Sequence, residues 1–200
     1  MGRSDSILQN NFYGNLPNKE PKALLGFSNN NWLSGDLYDL ELGNWDINSE
    51  WKLTKKYNSI ISTRCPYFSA HPKDFIKRCH DNLEDGGEIF LDWGLGDHWR
   101  FDNYKVGWIK DGEQEYAYVN DNFLWSCVWD DSFLENEQYK LFEKKIEKFG
   151  YTNLKESIFE EVPVILELDY IKKYFKIEYD ILQLWDDLPQ LYISIRGNKI

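Results

Sequence analysis

The sequence has little of what marks a secreted, membrane-spanning or nucleic-acid-binding chain. It carries three cysteines, Cys65, Cys79 and Cys127, widely spaced, with no CxxC pair and no Cys/His zinc spacing. An odd, unclustered set without a signal-peptide pattern predicts reduced thiols and a cytoplasmic setting. No apolar run approaches the length that spans a bilayer. Nor is there a dense Lys/Arg cluster: 23 basic residues face 34 acidic ones, a formal net charge of −11. Phosphate contacts dominate nucleic-acid affinity, so this balance argues against a nucleic-acid partner. It argues likewise against anionic membrane surfaces. Neither Asp130-Asp131 nor Asp186-Asp187 sits in a DxDxDG-type loop, so no metal site is expected and both read as turns or caps.

Aromatic residues, by contrast, are abundant: they make up 17% of the chain and include nine Trp. Such side chains fill cores and also line ligand pockets. Two hundred residues suit one domain, and a 42% hydrophobic share excludes global disorder. Residues 1–21 are polar and predict an irregular arm. Residues 22–200 predict a single α/β domain, with an aromatic-rich insertion at 94–131.

The pattern along the chain supports that class. KALLGF at 22–27 reads as a buried strand running into a polar SNNN loop. Residues 36–47 hold a second short strand, and YNSIIST at 57–63 a third. Pro72 suits a first helical position, and Phe75, Ile76, Cys79 and Leu83 fall on one face. Gly86 and Gly87 stop that helix, and EIFLDW at 88–93 reads as the next strand. Strand, helix, paired glycines and strand make a βαβ unit with parallel strands. KVGWIK and EYAYVN suggest a hairpin, residues 135–148 a helix, and 165–175 another. IEYDILQLW at 177–185 and QLYISIR at 190–196 alternate across a DDLP turn, an antiparallel hairpin.

The stretch YNSIISTRCPYFSAHPKDFIKRCHDNLEDGGEIFLDW, residues 57–93, resembles a class I S-adenosylmethionine-dependent methyltransferase. The closing hairpin is similar to that family's last two strands. The resemblance implies a Rossmann-like mixed sheet, mostly parallel with an antiparallel C-terminal hairpin, flanked by helices. It implies S-adenosylmethionine as cofactor and a small-molecule acceptor. The chain departs from the family at its N-terminal half. A glycine-rich loop normally follows the first strand, but LLGFSNNNW has only Gly26. The 34 positions from Gly26 to Ile60 are also too few for two βα units, so the N-terminal half is reduced.

Two alignments are open. If KALLGFS is the family's first strand, Gly26 and Ser28 face the cofactor, Asp36 or Asp39 holds the ribose hydroxyls and Asp46 lies near adenine. If it is the second strand, the usual cofactor pocket is largely gone. In either case Ser62, Thr63 and Arg64 share the carboxyl edge of the sheet with DWGLGDHWR, residues 92–100. Asp92, Asp97 and His98 are acid/base candidates there, since His titrates near neutral pH. Arg64 can bind an anionic substrate group, and Tyr67 can orient a methyl acceptor. Against these stand plainer readings: a structural ion pair for Arg64, a capped turn for Asp97, packing for the Trp residues. Cys65 reads as a packed thiol. The functional expectation is a small-molecule methyltransferase. The alternative is a degenerate methyltransferase fold that binds a partner or runs another reaction. A purely structural protein leaves DWGLGDHWR without a purpose. A shortened sheet exposes an edge strand, which favours a homodimer.

Overall fold

A six-stranded sheet runs in the order β2 (Asp36–Tyr38), β1 (Lys22–Leu25), β3 (Tyr57–Ser62), β4 (Leu83–Gly96), β10 (Pro189–Lys199) and β9 (Phe175–Trp185). The structure, a computed structural model, describes residues 11, 14, 16–29, 33–96, 106–110, 113–117, 126–185 and 189–200. Strands β1 (Lys22–Leu25), β2 (Asp36–Tyr38) and β3 (Tyr57–Ser62) are followed by helix α1 (Pro72–Asp81) and strand β4 (Leu83–Gly96). The β1–β2, β1–β3 and β3–β4 pairs are parallel. Strands β9 (Phe175–Trp185) and β10 (Pro189–Lys199) form the antiparallel hairpin, and β10 also pairs antiparallel with β4. This is the mixed sheet that the resemblance implies, with the βαβ unit and the hairpin where the pattern put them.

Helix α1 forms for legible reasons. Pro72 occupies its first turn, and Phe75, Ile76 and Cys79 are buried on one face. Arg78 and His80 lie in its last turn, where the helix dipole favours positive charge. The helix stops at Asp81 with Asn82 as its cap, not at Gly86-Gly87: both glycines lie within β4, at an irregularity in its pairing with β3 where Gly86 takes a φ of +73° that suits a residue without Cβ. Along β4, Ile89, Leu91, Trp93 and Leu95 enter the main core, while Phe90 points to a smaller cluster on the opposite face. The described helices all contribute to the main core. The smaller cluster, Leu24, Phe27, Leu33, Ile61 and Phe90, is supported by Leu16, Leu37 and Leu182.

The reduced N-terminal half is closed by aromatic packing. The segment between β2 and β3 buries Trp45 and Ile47 in the main core. Trp45 packs on Trp51 at 5.2 Å, Trp51 on Phe75 of α1 at 5.5 Å, and Phe75 on Trp93 of β4 at 6.2 Å. The last two pairs are edge-to-face, a geometry that adds to area burial. Tyr38 and Tyr57 share a 2.7 Å hydrogen bond beneath this segment.

The remaining elements are a hairpin of β5 (Val106–Lys110) and β6 (Glu113–Ala117), and a parallel pair of β7 (Ser126–Trp129) and β8 (Val164–Glu167). Helix α2 spans Glu137–Ile146, and Asn136 caps it by accepting from the Gln138 and Tyr139 amides. A second expectation fails here. Residues 165–175 do not form a helix. Val164–Glu167 is a strand, Leu168–Ile171 a single turn α4, and Phe175 already starts β9. The apolar run pairs with the buried SCVW strand instead, and this tertiary partner overrides local pattern. The helix lies earlier, as α3 (Leu154–Glu161), capped by Asn153. Asp130 also caps a turn, accepting from the Ser132 amide. No helix among the described residues is long and apolar enough to cross a membrane.

Candidate functional site

The chain leaves β1 for β2 on one side and returns to β3 on the other. That reversal opens a crevice at the carboxyl ends of these strands, where such sheets hold ligands. A cavity of about 430 Å³ lies there, within the size range of small-molecule sites. Gly26 after β1, Asp39 after β2, and Arg64 and Cys65 after β3 line it. Trp45, Ile47 and Phe68 supply apolar walls, with Leu40 exposed at its rim.

Asp39 is held by a tight turn. One carboxylate oxygen accepts the Glu41 amide at 2.8 Å, and the Asp39 amide donates to Asn44. Burial lifts its carboxyl above the ordinary carboxylate value, helped by the Glu41 charge and opposed by the Glu41 amide. Asp46 also lines the cavity, but its carboxylate accepts from the Asn48 amide and the Ser49 hydroxyl. Asp36 stands at the opposite end of β2, where it accepts from the Tyr57 hydroxyl at 2.8 Å and pairs with Lys55 at 3.0 Å. Between Asp36 and Asp39, only Asp39 reaches the cavity.

Gly26 adopts φ +79°, and its amide donates to the Tyr38 carbonyl at 2.7 Å. The space that a side chain would fill belongs to Cys65: a Cβ at position 26 would lie 2.6 Å from the Cys65 Cβ. Cys65 is buried, and its thiol is pushed up to about 12, first by burial and then by the charges of Asp39, Asp92 and Asp46. It stays protonated at neutral pH and is no nucleophile.

Arg64 has the left-handed φ of +54°, uncommon for a residue with a Cβ. Its amide donates to Oδ1 of Asp92 at 2.6 Å. Its guanidinium donates to the Tyr192 hydroxyl at 2.6 Å and lies over that ring. Asp92 is fully buried, and its Oδ2 has no hydrogen-bond partner among the described residues. Burial raises its carboxyl to about 7, against the opposing pull of the Arg64 amide and charge.

The other sequence-predicted residues are placed as follows. Ser62 is buried and donates from Oγ to the Leu25 carbonyl, tying β3 to β1. Thr63 is buried beside it. Ser28 is half-buried beyond Gly26 and outside the cavity lining. Tyr67 is buried in the 3-10 turn Pro66–Phe68, with its ring 4.5 Å from Phe68 and outside the lining. His98 and Asp97 lie outside the described residues. Sequence reasoning missed Trp45, Ile47 and Phe68 as cavity walls and Tyr192 as the partner of Arg64. Alternation along β10 sets Tyr192 opposite the core-facing Leu191 and Ile193, which is the signal that marks it.

No protein-family model matches the chain, and no curated protein matches it. Among solved structures, the chain is similar to the glycopeptide N-methyltransferase MtfA complexed with S-adenosyl-L-homocysteine. The identity is 8%, the TM-score 0.48, and the match covers 100% of this chain and 91% of that one. It is also similar to the N-methyltransferase NodS from Bradyrhizobium japonicum WM9 (9% identity, TM-score 0.45, covering 98% and 85%). A methyltransferase from Pyrococcus furiosus follows at 11% identity and TM-score 0.40, covering 98% and 81%.

Proposed function

We propose that the cavity binds S-adenosylmethionine through its nucleoside end and that the protein methylates a small-molecule acceptor. The observation that carries this reading is the convergence of Gly26, Asp39 and Arg64 on one cavity at the reversal of strand order. The residues suit a nucleoside. Asp39 has one oxygen beyond its turn bond to accept from a ribose diol, and Trp45, Ile47 and Phe68 offer apolar surface to a base. When bound, S-adenosylmethionine supplies a methyl group already activated on a sulfonium. What the chain must then provide is placement of the acceptor and exclusion of water. Arg64 is our candidate for orienting an anionic acceptor group. Asp92 backs Arg64 from within the protein, and His98 is kept as a candidate base.

Calorimetry with S-adenosylmethionine and S-adenosylhomocysteine tests this reading. Saturable binding that Asp39→Ala weakens by about tenfold or more supports it, and no heat at millimolar ligand sinks it.

One observation favours the second reading, a fold that no longer transfers methyl groups. Cys65 fills the space at Gly26 that a glycine-rich loop would leave for the amino-acid end of the cofactor. Under that reading the cavity holds a nucleoside without the amino-acid tail. 5′-Methylthioadenosine binding as tightly as S-adenosylhomocysteine separates it from the first.

A further inference from the structure

The cavity that the proposed function assigns to a nucleoside has a one-sided charge. Among the described residues, Asp39, Glu41 and Asp46 line it against the guanidinium of Arg64. That guanidinium is already engaged, bonded to the Tyr192 hydroxyl at 2.6 Å and stacked over its ring. Resting on the proposed nucleoside site, we infer that this cavity selects ligands by charge, holding a positively charged sulfonium nucleoside more tightly than its neutral thioether counterpart.

The physical basis is Coulombic. A cation entering a partly desolvated cavity gains from each nearby carboxylate, whereas a neutral thioether of the same shape gains nothing. The apolar walls of Trp45, Ile47 and Phe68 are common to both ligands and so cancel in the comparison. Such a site would grip the methyl donor and release the demethylated product, because transfer of the methyl removes the positive charge.

The experiment compares three probes on the full chain by calorimetry: S-adenosylmethionine, S-adenosylhomocysteine and 5′-methylthioadenosine. The expected result is S-adenosylmethionine binding about tenfold more tightly than S-adenosylhomocysteine at low salt. The preference should shrink as ionic strength rises and the Debye length falls from about 10 Å at 0.1 M toward 3 Å at 1 M. Glu41→Gln, in an exposed loop, and Asp39→Asn should each reduce the ratio, whatever they do to overall affinity. Circular dichroism of each variant verifies its fold. Equal affinity of the two S-adenosyl ligands, tighter thioether binding, or a ratio insensitive to salt overturns the charge selection and leaves the nucleoside site standing. Failure of all three probes to bind overturns the site and the selection together.

Discussion

Arg64 and Asp92 are joined through the backbone, the Arg64 amide donating to Oδ1 of Asp92 at 2.6 Å across the carboxyl ends of neighbouring strands. This bond holds Arg64 in a left-handed conformation that costs a residue with a Cβ about 1–2 kcal/mol. Arg64→Gly and Arg64→Ala both remove the Tyr192 bond, but only Ala retains the backbone strain. Arg64→Gly should therefore be the more stable of the two by roughly 1 kcal/mol in chemical denaturation. Equal stability would show that the conformation carries no cost.

Asp92 makes stability depend on pH in a direction opposite to that of an ion-paired acid. Its folded carboxyl is raised to about 7, from an ordinary value of 3.8. Between those values the folded state binds the proton more tightly than the unfolded chain does. The contribution is complete below about pH 4 and is lost as pH rises through about 7. Relative to Asp92→Asn, the native protein should lose up to about 4 kcal/mol between pH 4 and pH 8. Urea denaturation at both pH values measures it, and parallel curves for the two proteins would contradict the assignment.

Gly26 is fixed by two constraints at once, its φ of +79° and the Cys65 side chain against its open face. Gly26→Ala should destabilise by about 2–3 kcal/mol. Adding Cys65→Gly should recover the part due to overlap and leave the part due to φ. Thermal melts of the single and double variants separate the two contributions. No recovery in the double variant would mean that Cys65 does not press on this position.

Where the fold was legible in the sequence, local chemistry and tertiary pairing agree. Ile60 and Ile61 in YNSIIST, Pro72 at the helix start and Gly86-Gly87 before the next apolar run all mark the βαβ unit directly. The alternation around Tyr192 and Tyr179 marks the closing hairpin. The β7–β8 pair was not legible, because Cys127 faces Ile165 across a long stretch of intervening chain and no local pattern encodes that register. The VILE run therefore looked like the start of a helix, while the Asn153 cap of the real one went unread. Around the cavity, the strand-end rule points to Arg64, and the family resemblance points to Gly26 and to Asp36 or Asp39. It did not separate Asp36 from Asp39, since three residues of strand divide the two ends of β2. Nor did it find Trp45 and Ile47, whose place depends on aromatic packing with α1.

Asp39 is the side chain on which the nucleoside reading depends most. A charge-assisted hydrogen bond of the kind proposed is worth about 1.5–3 kcal/mol. Asp39→Ala should therefore weaken S-adenosylhomocysteine binding by about ten- to a hundredfold. Asp36→Ala should leave binding unchanged and lower stability instead, because its carboxylate serves Tyr57 and Lys55. Calorimetry and melting of the two variants side by side test this division of roles, which reversed outcomes would overturn.

The most direct measurement is a ¹⁵N–¹H titration of the native protein with S-adenosylmethionine, following each backbone amide. The account predicts saturable shifts centred on Gly26, Asp39, Glu41 and Arg64, the residues around the crevice between β1 and β3. An unmoved spectrum at millimolar ligand, or shifts gathered away from those amides, would contradict it.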